Sequence, residues 1–175
     1  MSNHYLKLLP KITTLIFDVD GVLTDGSVTI MPNGDQLRSF SSKDTFAIQL
    51  AVKNGLRVCV ITGGSSEAVK NALLRLGVKD VYLKVKNKID CYDDIKVMYD
   101  LEDNEIMYMG DDLPDYEVMK NVGIPACPKN AAREILDIAK YISDTDGGKG
   151  CVRDIIEKVL RAKGLWMRNS SDLTW

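Results

Sequence analysis

The chain has 175 residues, with 23 Lys plus Arg against 25 Asp plus Glu and a formal net charge of −2. Lacking a basic excess, it has no electrostatic footprint for nucleic acid or an anionic membrane surface. Its 45% hydrophobic and 27% charged residues are the balance of a folded globular protein, and one of this length buries roughly 70% of its unfolded-chain surface without a disulfide or metal staple. A single domain over 1–175 is expected. Short apolar runs then alternate with longer amphipathic stretches along the chain. Thr13–Phe17 reads as a buried strand. Ser27–Met31 and Gln36–Phe40 flank Pro32-Asn33-Gly34-Asp35, a turn with proline and glycine where a β-hairpin needs them. Asp44–Lys53 carries helical spacing, Arg57–Ile61 is a strand, Ser65–Leu76 a helix and Asp80–Leu83 a strand. Lys88–Tyr99, Pro114–Asn121, Ala131–Ala139 and Val152–Ala162 read as helices, with Ile106–Met109 and Ile124–Ala126 as strands.

Strands alternating with helices imply right-handed crossovers and a mostly parallel sheet. The expected fold is therefore α/β, a three-layer Rossmann-like sheet with helices on both faces and one inserted hairpin, about 27–40. The segment from about 147 is expected to be a C-terminal tail, frayed or docked on another subunit from Met167 onward. Cys59, Cys91, Cys127 and Cys151 form no Cys-x-x-Cys pair, and the sole histidine is His4. A zinc site and a Cys–His or Ser–His nucleophile pair both lack partners. Cys59 reads as a small core residue. No leader-like or membrane-spanning apolar run is present, so a reducing cytoplasm is the expected location.

The strongest chemical signal is Asp18-Val19-Asp20-Gly21-Val22-Leu23-Thr24-Asp25-Gly26, at the C-terminal end of the first strand. Ligands of parallel α/β sheets bind outside the carboxyl ends of the strands. Carboxylates at i and i+2 on extended backbone project to one side and repel, so they call for a divalent cation or a proton. Solvated loop aspartates and a helix cap are the structural alternative. Val60-Ile61-Thr62-Gly63-Gly64-Ser65-Ser66 ends a strand in a hydroxyl and glycines before a helix, which makes an anion cradle or simply a good helix start. Lys88 opens the next amphipathic segment, where a lysine is ordinarily solvated. Tyr108-Met109-Gly110-Asp111-Asp112-Leu113-Pro114-Asp115 places three carboxylates after another buried strand, of which N-capping explains one.

That ordered set, two Asp, then Thr, then Lys, then Gly-Asp-Asp-x-x-Asp, resembles the haloacid dehalogenase superfamily of phosphotransferases over about 15–142. The resemblance implies Asp18 as nucleophile, forming an aspartyl-phosphate, and Asp20 as general acid and then base. It implies Mg2+ held by Asp18, Asp111 and the backbone carbonyl at Asp20. Thr62 and Gly63 would bind phosphoryl oxygens and Lys88 would offset charge. Asp112 and Asp115 would orient Lys88, water and metal, or ligate directly; capping alone is the alternative for Asp115. Superfamily dehalogenases lack the acid at Asp20, and ion-pumping ATPases carry threonine there, so the aspartate favours a phosphatase.

From Asp20 to Thr62 the chain is used up by the hairpin, a helix and a strand, and from Thr62 to Lys88 by a helix and a strand. No cap domain fits. Asp-Gly-Val-Leu-Thr-Asp-Gly, the hairpin and Ser42-Lys43-Asp44 resemble one capless branch, the eight-carbon keto-deoxy sugar acid (3-deoxy-D-manno-octulosonate) 8-phosphate phosphatases. That resemblance implies a small-molecule sugar acid phosphate as partner. It also implies a homotetramer whose hairpins form a central barrel and whose sites are lidded by neighbours, and lipopolysaccharide sugar synthesis as the setting. In that branch a glycine-rich tail like Gly147-Gly148-Lys149-Gly150-Cys151-Val152-Arg153 reaches an active site. Where relatives often carry arginine, this chain has Gly64, and the nine-carbon enzymes tend to carry an acid. Lys43, Arg75, Lys149 and Arg153 are then the candidate cations for the sugar carboxylate. A nine-carbon 9-phosphate, a phosphoprotein substrate and a silent regulatory module are the competing readings.

Overall fold

The computed structural model describes residues 3–169 and 174, apart from the side chains of 3 and 4. The His4 side chain and residues 170–173 and 175 of the expected C-terminal tail therefore lie outside the described residues. Among the described residues eight strands form: β1 (Thr14–Phe17), β2 (Thr29–Ile30), β3 (Gln36–Leu37), β4 (Arg57–Ile61), β5 (Asp80–Tyr82), β6 (Ile106–Met109), β7 (Ile124–Cys127) and β8 (Tyr141–Ile142). The helices are α1 (Ser42–Lys53), α2 (Glu67–Arg75), α3 (Lys88–Tyr99), α4 (Tyr116–Asn121), α5 (Arg133–Ile138) and α6 (Cys151–Ala162). Six strands make a parallel sheet in the order β5-β4-β1-β6-β7-β8. The expected α/β sandwich is thus observed, with β8 added. Two residues carry too little periodicity to announce a strand, and β8 exists because Ser143 N donates to Cys127 O beside it.

The period-two alternation of the strands divides two cores. Leu15, Phe17, Val58, Val60, Met107 and Met109 face one side, where α1, α2 and α6 pack. Ile16, Cys59, Ile61, Ile106 and Tyr108 face the other, covered by α3, α4 and α5. Both faces are buried, which is why these strands read as unbroken apolar runs. α6 lays down Val152, Ile155, Ile156, Val159 and Leu160, all fully buried at helical spacing. Each such side chain contributes about 1.5–3 kcal/mol relative to exposure.

β1 lies at the centre, with β4 and β5 on one side and β6, β7 and β8 on the other. The strand order reverses between β1 and β6, and the crevice beyond their carboxyl ends is where such sheets bind ligands. Phe17 pairs with both Val60 and Met109, so Asp18, Thr62 and Gly110–Asp111 all leave the sheet at one rim.

One segment differs from expectation. The hairpin is shorter than 27–31 and 36–40: only Thr29–Leu37 and Ile30–Gln36 pair, while Phe40 turns back onto the core. Residues 147–150 lead into α6, the helix that the spacing over Val152–Ala162 predicts. Asp44 of α1, fully buried, accepts from Gly150 N at 3.0 Å and Arg153 N at 2.7 Å and so caps α6 from outside it. Gly147 and Gly148 press against the loop after β1: a Cβ at 147 would stand 1.8 Å from Gly21 O, and one at 148 would stand 2.5 Å from Asp25 N. The glycine-rich stretch thus buttresses its own Asp18–Gly26 loop.

Candidate active site

Asp18 is held where β1 ends, its N–H donating to Met109 O at 3.1 Å and the residue 7% exposed. After it the backbone closes a tight turn, Thr24 N donating to Val19 O at 3.0 Å. Gly21 sits at φ +91°, and a Cβ there would lie 2.0 Å from Asp111 Oδ2. The glycine of Asp-x-Asp-Gly therefore lets this loop approach the second acidic segment.

Lys88, the first residue of α3, is 6% exposed and reaches two carboxylates. Its Nζ lies 2.9 Å from Asp18 Oδ1 and 2.7 Å from Asp115 Oδ1. Burial works against the ammonium, but the two carboxylates outweigh it and hold its pKa above the ordinary lysine value. Asp115 is 1% exposed and saturated. Oδ1 accepts from Lys88 and from Tyr108 OH at 2.5 Å, and Oδ2 accepts from Asp111 N at 3.0 Å and Asp112 N at 3.4 Å. Asp112 is exposed and caps the next turn through Leu113 N at 2.8 Å. Thr62 is 3% exposed, with Oγ1 accepting from Gly64 N at 3.0 Å.

Asp18, Asp20, Thr62, Gly63, Lys88, Asp111, Asp112 and Asp115 all line one cavity of about 490 Å3 at this rim. Lys43 and Arg75 are not among its walls. Lys43 is exposed in the first turn of α1. Arg75 ends α2, whose first turn faces the rim, and the helical rise carries it roughly 12 Å farther away. Lys149 pairs with Asp25 at 3.5 Å, and Arg153 stacks over Trp166 at 5.3 Å. Three residues carried no signal in the sequence. Arg38 looks like a solvated strand residue, yet it pairs with Asp20 at 2.6 Å. Tyr108 looks like core, yet its hydroxyl reaches Asp115. Lys86 lies on the cavity wall.

The charges are unbalanced. Burial, followed by the nearby Asp115 carboxylate, pushes the Asp18 carboxyl up to about 7 against the pull of Lys88. Burial and then Asp18, Asp115 and Asp112 push Asp111 up to about 7. Asp18, Asp111 and Asp115 each bring a carboxylate oxygen within 4.8 Å of the others. Asp111 Oδ1 is buried with no hydrogen-bond partner among the described residues. Since both Asp115 oxygens are engaged, Asp18 and Asp111 are the pair that fits a hard divalent cation.

A family model described as haloacid dehalogenase-like hydrolase matches residues 77–155. The 3-deoxy-D-manno-octulosonate 8-phosphate phosphatase KdsC of Salmonella typhi is 32% identical over 164 residues, covering 94% of this chain and 87% of the relative. The crystal structure of the Yersinia pestis 3-deoxy-D-manno-octulosonate 8-phosphate phosphatase superposes with a TM-score of 0.91 at 27% identity, over 94% of this chain and 89% of that one. The Moraxella catarrhalis phosphatase, solved with a magnesium ion, a phosphate ion and KDO, gives 0.90 at 26% identity, over 94% of each chain. With its acidic rim and capless sheet, the chain belongs to the haloacid dehalogenase-like hydrolases, in the family of the 3-deoxy-D-manno-octulosonate 8-phosphate phosphatases.

Proposed function

We propose that the chain is a Mg2+-dependent phosphomonoesterase that hydrolyses 3-deoxy-D-manno-octulosonate 8-phosphate to the free sugar acid and phosphate. The observation that carries this reading is the Asp18–Asp111 pair with its unpartnered Asp111 oxygen, beside Lys88 and Thr62, in a chain of this family. Mg2+ held by Asp18, Asp111 and the Asp20 carbonyl would neutralise the acidic cluster and the incoming phosphate.

An Asp18 oxygen attacks phosphorus, so an aspartyl–phosphorus bond forms as the bond to the sugar oxygen breaks. Lys88, 2.9 Å from Asp18, holds that carboxylate in place and offsets charge on the phosphoryl oxygens. Asp115 in turn holds Lys88, and the Tyr108 hydroxyl donates to that same Asp115 oxygen. Thr62 and the Gly63 N–H receive the phosphoryl oxygens at the cavity wall. Asp20 gives its proton to the departing sugar oxygen, then takes one from the water that releases phosphate.

The open cavity and the hairpin support the wider reading. Ile30 is 73% and Leu37 53% exposed, and among the described residues no cap covers the rim. A homotetramer that buries these hairpins and lids each site with a neighbour would remove an exposed apolar edge. The free thiols and the lack, among the described residues, of a helix able to cross a membrane support a cytoplasmic enzyme.

Phosphate release from a panel of sugar phosphates tests this reading. The eight-carbon substrate is expected to lead the nine-carbon one by at least about tenfold, or 1.4 kcal/mol, and EDTA should abolish turnover. A smaller preference would remove the substrate, and turnover unaffected by chelation would remove the metal. Sedimentation as a monomer would remove the tetramer.

A further inference from the structure

Arg38 follows β3 in a hairpin arm whose neighbours face water: Leu37 is 53% exposed and Ser39 is exposed. Its own side chain is 7% exposed. Burying a guanidinium is unfavourable by several kcal/mol unless it is paired. The pairing is a fork: Nε donates to Asp20 Oδ1 at 2.6 Å and Nη2 to Asp20 Oδ2 at 3.0 Å. Nη2 also donates to Gln36 Oε1 at 3.3 Å, and Nη1 is buried without a partner among the described residues. The guanidinium lies in a niche with Thr62, Val69 and Leu83, and of the pair only Asp20 also lines the open cavity.

Gly64 makes room for this arrangement. A Cβ there would stand 3.8 Å from Arg38 Nη2, 3.8 Å from Asp20 Oδ2 and 3.3 Å from Thr62 Oγ1. A long side chain at 64 would have to share the niche with Arg38, so the glycine and the arginine act as a unit.

We propose that Arg38 is a positioning residue for Asp20, fixing the rotamer in which that carboxylate faces the leaving oxygen. The proposal rests on the reading of Asp20 as the proton-transfer group. Proton transfer needs a heavy-atom distance of about 2.6–3.2 Å, and Asp20, 35% exposed, would otherwise sample several rotamers. A two-point fork removes that freedom, whereas a lysine at 38 supplies charge but no fork.

The test compares kcat/KM, which reports the step in which the leaving group departs, for two substrates with Mg2+ present. The leaving oxygen of 3-deoxy-D-manno-octulosonate 8-phosphate needs a proton, and that of p-nitrophenyl phosphate does not. Arg38→Ala should lose about 10- to 100-fold on the sugar phosphate and less than about threefold on the nitrophenyl ester. Arg38→Lys should show the same split in weaker form, and added guanidinium ion should restore part of the Arg38→Ala loss. Equal losses on the two substrates, or no loss, would overturn the proposal. Asp20→Asn separates the two assignments. If it shows the split and neither Arg38 variant does, only the role of Arg38 falls; if it shows none, the role of Asp20 falls and takes Arg38 with it.

Discussion

Asp44 and Asp18 are both buried acids, and they are buried on opposite terms. Asp44 is fully enclosed yet accepts two backbone N–H bonds from the start of α6, so its charge has donors supplied by the fold. Asp18 faces Asp115 and the under-partnered Asp111 across a cavity, with Lys88 as the cation in contact with it. A satisfied buried acid is architecture, and removing it costs stability. An acid crowded by other acids stores a cost that only a cation or a proton relieves, and that marks chemistry.

The largest expected effect separates the two at once. Asp18→Asn should lower turnover by about 10⁴-fold or more while leaving thermal stability unchanged or raised, as read by phosphate release and a melt on the same sample. A melt falling in step with activity would place Asp18 among the architectural acids. Asp44→Ala should do the reverse. Unpairing the α6 N-terminus is expected to cost about 2–3 kcal/mol by denaturant titration, with turnover per folded molecule changed only a few-fold; a neutral result would show that α6 does not depend on this cap.

The pH dependence sharpens the contrast. Burial and then neighbouring carboxylates push the Asp18 and Asp111 carboxyls of the folded protein up to about 7, from the ordinary aspartate value of 3.8. Between those values the metal-free folded protein binds more protons than the unfolded chain. Its stability is therefore fullest below about pH 4 as far as these two groups decide it, and is lost as pH rises through about 7. In EDTA the melting temperature should be higher at pH 5.5 than at pH 8, and Mg2+ should raise it most at pH 8. A flat profile in EDTA would mean that the acids do not strain the fold. The smallest effect concerns the wall rather than the acids: Lys86→Ala should raise KM for the sugar acid phosphate about two- to fivefold with little change in kcat.

Much of the site was legible because its chemistry is written in short segments. Asp18-Val19-Asp20-Gly21 and Gly110-Asp111-Asp112 each follow a continuous apolar run, and a parallel sheet sends such ends to one rim. Arg38 was not legible, since nothing local distinguishes a buried arginine after Leu37 from a solvated one. Arg75 misled because a helix that starts at the rim ends a full helix length away from it. The short pairing of β2 with β3 and the two-residue β8 were hidden for a related reason: both depend on partners and not on propensity.

The order of strands and helices, the two-faced burial of the sheet and the identity of the acids were determined by the sequence alone, because periodicity and turn chemistry act over a few residues. Which carboxylate is saturated, which is left without a donor, and that an arginine from the hairpin stands behind Asp20 were decided only by the tertiary structure. Those properties are sums over neighbours brought together from distant stretches, and hydrogen-bond donors, burial and charge at a point in space have no address in the chain.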